Sequence, residues 1–426
     1  MKQLLKILAV LGIVSMFILP ATVLQLIGWD YLSAGASAIT KIHPSLYLLL
    51  LPVGLGLFSG NENMWAILRR PAVLLYVFAT LVITVRGVQI AASGVTGGEL
   101  SIAIVTYNIP LLTILALTII DAPLRAKLAV ALQVFFIINS VMAIAEQGIG
   151  YRLLPSFLDA FGNEHRSSAL MGHPLLGAMF TGLYLVHLVS SGRRDALSAP
   201  RIMEIILHTA AMFAYGGRSA LIFTAVTIAL SGLFARGQFS SQRWLSVILL
   251  VTGLIFVFLP IPLVDTLIDR FTNDQGSAET RAAAIRMLSM LTPNELLYGV
   301  PGPRRVILQG FLHTEVGIEL SWVALTVTYG LLAVIPMMIA LPMLLFSTAR
   351  RLERSAFYMA LQFLVVTAGS QGLAGKGTLI AQLLIMMQIL AQPTRFVRQQ
   401  TIITRTRPTA HRPEPPVAGP RGVDLN

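Results

Sequence analysis

Residues 71–92 read PAVLLYVFATLVITVRGVQIAA, a run in which Arg86 is the sole charged residue. A run of this length is what an α-helix needs to cross a hydrocarbon core of about 30 Å. Similar runs recur along the chain, whereas a membrane β-barrel would show segments of about ten residues with alternating polarity. Because lipid offers the backbone no hydrogen-bond partners, we expect an all-α, polytopic membrane helix bundle.

The composition of the whole chain agrees with this expectation. Of its 426 residues, 55% are hydrophobic and 12% are charged, and the mean hydropathy is +0.77. A soluble domain carries about 25% charged residues, so this chain has too little polar surface to cover itself. The net charge of +12 falls largely in short segments between apolar runs, so we expect membrane lipid and no nucleic acid as a partner. The chain contains no cysteine, which excludes disulfides and thiolate chemistry.

The apolar runs predict about twelve transmembrane helices in a single domain, 1–393, followed by a disordered basic tail, 394–426, rich in Pro and Arg. The N-terminal run can also be read as a signal peptide, and its removal would not change the sidedness of the other runs. The predicted spans are 4–28, 44–60, 71–92, 101–120, 128–148, 169–190, 202–214, 219–235, 244–262, 318–346, 355–371 and 376–393.

The positions of the basic residues predict the orientation of these spans. Most of the 31 Lys and Arg residues lie in the alternate short loops and in the tail that share one side. The positive-inside rule makes that side the cytoplasm. Both termini are therefore expected in the cytoplasm, and the longest loop, about 263–317, on the opposite side, where it carries short helices.

Several basic residues fall outside these inner segments, where the rule predicts few of them. An anionic ligand is one explanation, because guanidinium groups bind phosphates and pyrophosphates well. The candidates for binding pyrophosphate are Arg86, Arg166, Arg218, Arg281, Arg286 and Lys376.

Each candidate also has a structural interpretation. Arg218 can cap helix carbonyls, and Arg86 lies in or at the end of a span, where it must face protein, water or substrate. Arg281 and Arg286 are five residues apart, so on a helix they point about 140° away from each other. The acidic partners considered are Asp159 or Glu164 for Arg166, and Glu146 or Glu99 for Arg86.

A candidate general base lies at the end of the long loop. His313 precedes a predicted span, with Glu315 and Glu319 nearby, and we treat these three as the candidate catalytic residues. A neutral imidazole there can take a proton from a sugar hydroxyl. The alternative is an interfacial histidine bonded to a loop carbonyl. For His187 and His208, which lie within spans, a packing role is expected.

The sequence carries no His-Glu-x-x-His or aspartate-rich metal motif. Gly375-Lys376-Gly377 resembles a phosphate loop only superficially, because the full spacing and the preceding strand are absent. We therefore expect no metal and no other cofactor. A transferase of this kind would use a donor that is already activated, with arginine supplying electrostatic stabilisation.

Short motifs follow one another in a particular order between residues 160 and 335. They are Arg166 with Gly172 and Pro174, then Gly217-Arg218-Ser219, Thr280-Arg281, Gly299 with Gly302, His313, and Tyr329-Gly330. This order, together with the topology, resembles the O-antigen ligase and Wzy-type polymerase superfamily, which includes exopolysaccharide polymerases.

The resemblance implies a metal-independent glycosyltransferase of the bacterial inner membrane. Such an enzyme moves a glycan from undecaprenyl pyrophosphate to an acceptor hydroxyl, and a chain-length regulator is a further implied partner. By matching position, Arg218 and Arg281 would hold the pyrophosphate and His313 would activate the acceptor. Many members have Asn where this chain has Leu175 and Thr314, so the chain departs from the family pattern beside Pro174 and beside His313.

Three functions compete at this point. The first is a polymerase that joins lipid-linked repeat units in exopolysaccharide or O-antigen biosynthesis. The second is an O-antigen ligase or O-oligosaccharyltransferase, which differs only in its acceptor. The third is a transporter or flippase for a lipid-linked sugar, which predicts a charged path through the bundle and two similar halves.

The predicted orientation can be tested with a reporter enzyme that is active only in the periplasm. Fusion within the loop 263–317 should give signal, and fusion in the tail 394–426 should give none, because basic segments stay in the cytoplasm. Reporter activity in whole cells, normalised to the amount of fusion protein, measures this. The reverse pattern would overturn the orientation.

Overall fold

The computed structural model describes residues 2–32, 37–93, 98–154, 166–191, 198–234, 277–314 and 317–391. Within these ranges the regular structure is helical and contains no strand, which confirms the predicted all-α class. The predicted span 244–262, the tail 394–426 and Glu315 lie outside the described residues.

The first half of the chain forms the helices α1 to α8. Their bounds are α1 Lys2–Ile18, α2 Ala21–Leu26, α3 Pro44–Phe58, α4 Glu62–Leu68, α5 Pro71–Ala92, α6 Gly98–Ile102, α7 Ile109–Ala116 and α8 Ala122–Ile149. A π-helical turn, Ala103–Asn108, joins α6 to α7. Proline in the first turn starts several of these helices, because its missing N–H has no intrahelical partner there.

The described part of the second half forms the helices α9 to α18, with two short 3₁₀ turns at Ala169–Met171 and Gln371–Leu373. Their bounds are α9 Pro174–Ser190, α10 Ala199–Tyr215, α11 Arg218–Leu233, α12 Ser277–Ser289, α13 Pro293–Tyr298, α14 Gly302–Phe311, α15 Ser321–Tyr329, α16 Leu331–Ala349, α17 Arg354–Ala368 and α18 Leu379–Leu390.

The longest helix, α8, shows how local sequence sets the helix ends. The Asp121 carboxylate accepts the N–H of Leu124 at 3.1 Å, and it also pairs with the ammonium of Lys6 at 2.6 Å. At the other end, Gly150 takes a φ of +67°, the left-handed conformation that commonly ends helices. A side-chain cap and a glycine therefore bound the predicted span 128–148.

Two helices form the centre of the bundle. In α9 every residue from Gly177 to Ser190 is buried, and α18 is buried along nearly its whole length. By contrast, α5 and α8 each bury only 33% of their most apolar window, and α16 buries 39%. The helices α5, α8 and α16 therefore lie at the periphery, where lipid would cover their exposed residues, whereas the stretch Gly98–Ala116, 67% buried, and the shorter helices α9 and α18 fill the interior.

The number of spans differs from the prediction. In the described part of the chain, four helical stretches are long and apolar enough to cross a membrane: Pro71–Ala92, Gly98–Ala116, Ala122–Ile149 and Leu331–Ala349. A fifth is gained if α3 and α4, which are bent by 101°, count as one broken span. The prediction of about twelve full-length spans is therefore wrong by this criterion, although the protein keeps the character of a helical membrane protein.

Breaks inside continuous apolar runs account for much of this difference. The predicted span 318–346 is divided between α15 and α16 at Gly330, whose φ is +80°. The backbone of Gly330 packs against that of Gly299, and Val300 N–H donates to the Val327 carbonyl at 2.7 Å. The predicted span 4–28 is likewise divided near Pro20. A hydropathy pattern does not show such breaks when both flanks are apolar.

The helices α12, α13, α14 and α15 pack together in a layer. This layer covers one end of the bundle. We call that end the loop face and the four helices the loop-face layer. A small core of its own stabilises this layer, and it is separate from the core of the bundle. Its buried members are Ala284, Met287, Val300, Leu308, Ile318, Val323 and Val327.

Candidate functional site

The turn between α10 and α11 brings two of the candidate arginines together. Gly216 ends α10 with a φ of +61°, and Arg218 is the first residue of α11. Arg166 lies over this turn, since a Cβ placed on Gly216 would be 3.1 Å from Arg166 Cδ. Arg166 is buried and Arg218 is half-buried. The turn thus combines two arginines in its immediate surroundings with the positive end of the α11 dipole, and helix N-termini of this kind suit an anionic ligand.

A third arginine, which the sequence did not single out, joins this group. The Nε of Arg152 donates to the backbone carbonyl of Arg166 at 2.8 Å. Burial, followed by the positive charges of Arg166 and Arg152, lowers the pKa of His173 to about 4. The imidazole of His173 is therefore neutral at neutral pH, and its Nδ1 accepts the N–H of Leu175 at 3.2 Å at the start of α9.

One buried carboxylate, Glu146, fixes the backbone of this region. Its Oε2 accepts hydrogen bonds from Ser167 Oγ at 2.7 Å and from the N–H groups of Ser168 and Ala169 at 2.9 Å each. Its Oε1 accepts the N–H of Leu153 at 3.0 Å. Glu146 was considered in the sequence as a partner for Arg86, but the structure places it as the anchor of the segments on either side of 155–165.

In the loop-face layer, the structure pairs Arg281 with Glu319, with 3.2 Å between Nε and Oε2. The two side chains are 45% and 34% exposed, and an ion pair so exposed contributes little to stability. Arg286 is exposed on the same helix. His313 is exposed just after α14 and has a φ of +53°, whereas Glu315 lies outside the described residues.

Arg86 holds the loop-face layer to α5. Its guanidinium donates to the backbone carbonyl of Tyr298 and, at 3.4 Å, to that of Tyr329, and a further N–H donates to Gln89 Oε1. These carbonyls lie at the C-terminal ends of α13 and α15, where helices leave their last carbonyls unsatisfied. The acidic partner expected from the sequence, Glu146 or Glu99, is replaced by backbone oxygens.

Glu99 instead forms an ion pair with Arg305 of α14. Glu99 is only 6% exposed, and its backbone carbonyl accepts the hydroxyl of Tyr329 at 2.7 Å. Removing one partner of a buried ion pair typically costs about 3–5 kcal/mol, because the other charge is left without compensation. Arg305 and Arg86 together therefore fasten the loop-face layer to α5 and α6.

Lys376 also makes contacts with the backbone. Its ammonium donates to the carbonyls of Tyr31 and, at 3.2 Å, Lys41, and it lies 4.0 Å from the centroid of the Tyr31 ring. Burial, followed by the charge of Lys41, lowers the pKa of Lys376 to about 8. These contacts tie the segment before α3 to the loop between α17 and α18. Whether Lys376 also binds phosphate stays a prediction.

A buried polar network between α8, α9 and α10 centres on Glu204, which the sequence analysis did not single out. Its carboxylate accepts the hydroxyl of Tyr184 at 2.7 Å and the amide of Gln133 at 3.2 Å, and it lies 3.9 Å from His208 Nε2. His208 Nδ1 shares a hydrogen bond of 2.7 Å with Ser140 Oγ. A carboxylate four residues before a histidine in an apolar helix was the signal in the sequence.

The packing role expected for His187 agrees with its surroundings. His187 is buried in α9, and its Nδ1 lies 3.2 Å from Ser355 Oγ of α17. Across the described ranges, no three His, Asp or Glu side chains gather closely enough to hold a metal ion.

The site thus has two parts: the arginine turn, formed by Arg152, Arg166 and Arg218, and the loop-face residues Arg281, Glu319 and His313. Comparison of the chain with protein-family models, with curated proteins and with solved structures gave no match. These residues and the order of the sequence motifs are therefore the indications of function in the described part of the chain.

The role of Glu146 can be tested by Glu146→Gln. The amide keeps the shape of the carboxylate but replaces one acceptor oxygen with a donor, so at least one buried N–H or O–H loses its partner. We expect a loss of about 1–3 kcal/mol in the free energy of unfolding, since this is the usual cost of an unsatisfied buried group. Thermal unfolding of the purified protein in detergent measures it.

The matched control for this experiment is Glu62→Gln, because Glu62 is exposed at the start of α4. It should leave the unfolding temperature nearly unchanged. Equal unfolding temperatures for Glu146→Gln and Glu62→Gln would show that Glu146 does not anchor the backbone around the arginine turn.

Proposed function

We propose that this protein is a polysaccharide polymerase that joins undecaprenyl-pyrophosphate-linked repeat units at the periplasmic face of a bacterial inner membrane. The observation that supports this best is the arginine turn, where Arg166 lies over the Gly216–Arg218 turn at the N-terminus of α11. Guanidinium groups and helix N–H groups directed to one place are what a pyrophosphate requires.

In the proposed reaction the protein contributes proton transfer and the stabilisation of charge. His313 takes the proton of an acceptor sugar hydroxyl, and the hydroxyl oxygen forms a bond to C1 of the donor sugar. The bond between C1 and the phosphate oxygen breaks, and undecaprenyl pyrophosphate leaves with the electron pair. The arginines, with Arg281 added by the resemblance, stabilise the negative charge that develops on this leaving group.

The pairing of Arg281 with Glu319 fits this proposal in one respect. Both side chains are partly exposed, so an incoming phosphate can take the place of the carboxylate at little cost. Glu319, displaced from Arg281, would then orient a protonated His313, as carboxylates often do for catalytic histidines.

In this proposal the loop 263–317 is periplasmic and both termini are cytoplasmic, as the basic loops predict. The short helices α9 and α18 complete their passages within the protein interior. A helix surrounded by protein is not required to match the thickness of the lipid, since its end groups find partners among neighbouring side chains. Passages of this kind would raise the number of crossings above the number of full-length helices.

A ligase or O-oligosaccharyltransferase would use the same donor site and differ only in the acceptor. A transporter or flippase for lipid-linked sugars is favoured by one separate observation, the buried network around Glu204. Ionisable residues within a membrane bundle commonly mark a path for a substrate or proton. The network is also explained as helix–helix packing, because each described partner of Glu204 belongs to a neighbouring helix or to its own.

The polymerase proposal is tested by complementing a deletion strain with the wild type, Arg218→Ala or His313→Ala. Each substitution should abolish high-molecular-weight glycan, because one removes a pyrophosphate ligand and the other removes the general base. Single lipid-linked repeats should accumulate on the outer leaflet. Gel analysis of the glycan, with immunoblots of membrane protein levels, measures both.

Normal polymer from both variants would remove Arg218 and His313 from the active site. Normal polymer in the deletion strain itself would contradict the polymerase. In the deletion strain, polymer that forms but is not attached to its final acceptor would indicate the ligase.

A further variant, Arg281→Lys, keeps the positive charge but loses the planar fork that binds phosphate in a bidentate manner. We expect a large loss of polymer with normal protein levels. The matched control is Arg304→Lys in the same layer, because Arg304 pairs with Glu295 and is not assigned to the site. Equal polymer output from the two variants would remove Arg281 from the proposed site.

A further inference from the structure

One helix of the loop-face layer, α14, turns an apolar stripe outward. Five of its residues follow the spacing i, i+3, i+4, i+7 and i+8, which places them on one side of a helix. The three large members, Val306, Ile307 and Phe311, are 67%, 69% and 69% exposed. The stripe consists of Pro303, Val306, Ile307, Gly310 and Phe311.

The opposite side of α14 is fixed against the protein. Arg305 makes the ion pair with buried Glu99, and Leu308 is buried in the small core with Met287 and Val327. Rotating the helix to hide its stripe would break both contacts and expose Leu308. The outward direction of the apolar stripe is therefore built into the packing of α14.

An exposed stripe of this kind requires a cover, because soluble surfaces rarely present contiguous large apolar side chains. The level of α14 relative to α5 indicates what the cover is. On α5 the residues that face outward form a regular apolar stripe along the helix, as expected of a surface covered by lipid. Its members are Leu74, Phe78, Leu81, Val85 and Val88, with exposures between 47% and 59%.

The contacts of Arg86 place the loop-face layer at the level of the last part of this stripe. Arg86 lies between Val85 and Val88, and it donates to the carbonyl of Tyr298, four residues before α14 begins. Glu99, the partner of Arg305, packs its backbone carbonyl 3.6 Å from the position of a Cβ on Gly87. The loop-face layer is therefore attached, through Tyr298 and through Arg305, at the level of the last turns of α5.

The residues around α14 have the composition of a membrane interface. Tyr298 is 51% exposed and Trp322 is 37% exposed, and these two residue types are enriched where lipid headgroups meet the hydrocarbon. Arg304, at the edge of the stripe, is 48% exposed and carries the charge that headgroup phosphates attract.

We propose that α14 is an in-plane interfacial helix, whose stripe lies against the acyl chains of the leaflet next to the loop face. The helix would lie along the membrane surface with Arg305 and Leu308 toward the protein and Ile307 and Phe311 toward lipid. Amphipathic helices of this kind bury their apolar side at the boundary between headgroups and acyl chains. The inference goes beyond the proposed enzymatic function and does not depend on it.

The absence of cysteine from the chain allows a direct test. Val306→Cys and Ile307→Cys are each labelled with a nitroxide in the full-length protein, reconstituted in phospholipid nanodiscs that contain no polyprenyl lipid. Electron paramagnetic resonance then compares collisions with oxygen, which concentrates in lipid, and with a water-soluble nickel chelate. Leu81→Cys on α5 provides the lipid reference, and Asn294→Cys, exposed on α13, provides the water reference.

We expect the ratio of oxygen to nickel collisions at both positions to lie between those of the two references and to exceed clearly that of Asn294→Cys, because the stripe lies at the boundary between headgroups and acyl chains. A ratio equal to that of Asn294→Cys would place the stripe in water and overturn the inference. Protection from both oxygen and nickel would also overturn it, because protein would then cover the stripe.

Discussion

Backbone polar groups that lie outside regular helices must find hydrogen-bond partners within the protein, because an apolar surrounding offers none. This constraint governs the places where the helices of this bundle are interrupted. In the loop between α17 and α18, the carbonyl of Gly375 accepts the hydroxyl of Thr106 at 2.8 Å, and that of Leu373 accepts the hydroxyl of Tyr107 at 2.6 Å. Ser321 supplies a further hydroxyl to the same loop. Side-chain donors on neighbouring helices thus make a non-helical segment tolerable inside the bundle.

The same constraint gives several cationic side chains a structural task. The ammonium of Lys376 and the guanidinium of Arg86 both donate to backbone carbonyls at places where helices or turns end. Their positive charge is matched to the partial negative charge of these carbonyl groups. A basic residue on the loop face therefore has two explanations, a substrate or an unsatisfied helix end, and contacts distinguish them. Arg166 and Arg218 differ in position, because they lie beside the turn at the N-terminus of α11 rather than at the C-terminal end of a helix.

The sequence predicted helical segments well where a helix is long and apolar and lies at the periphery of the bundle. The predicted span 71–92 coincides with α5, and 128–148 lies within α8. The prediction of spans failed where a run is apolar on both sides of a break, as at Gly330. Hydropathy reports how polar the side chains are, and it does not report where the chain changes direction. Boundaries of this kind depend on tertiary contacts, here the close approach of Gly330 to the backbone of α13.

For the candidate site, the sequence named Arg166 and Arg218 among six candidates for binding pyrophosphate, and the structure brings Arg166 next to the turn that precedes Arg218. It did not predict the partners, since Arg305 rather than Arg86 binds Glu99. A sequence pattern does not show which of two distant arginines, Arg86 or Arg305, will lie next to Glu99. The fold decides this by placing only one of them within reach of the carboxylate. The role of Glu146 was hidden for the same reason, because its partners are backbone N–H groups and a serine hydroxyl that lie 7 to 23 residues away in the sequence.

The backbone at His313 connects the candidate chemistry with the membrane surface. A residue other than glycine with a φ of +53° costs about 1–2 kcal/mol, and such strain persists only where its surroundings enforce it. Here the next residue, Thr314, is buried, and its N–H donates to the Gln309 carbonyl at 2.9 Å. These contacts close the end of α14 and leave the imidazole exposed two residues after Phe311. If α14 lies in the membrane interface, these contacts hold His313 at the level of the headgroups, which is where the pyrophosphate of the proposed lipid-linked donor would lie. The ion pair of Arg305 would fix the position of α14, and the backbone conformation of His313 would fix its imidazole relative to α14. Together they would determine how far the proposed general base lies from the membrane surface.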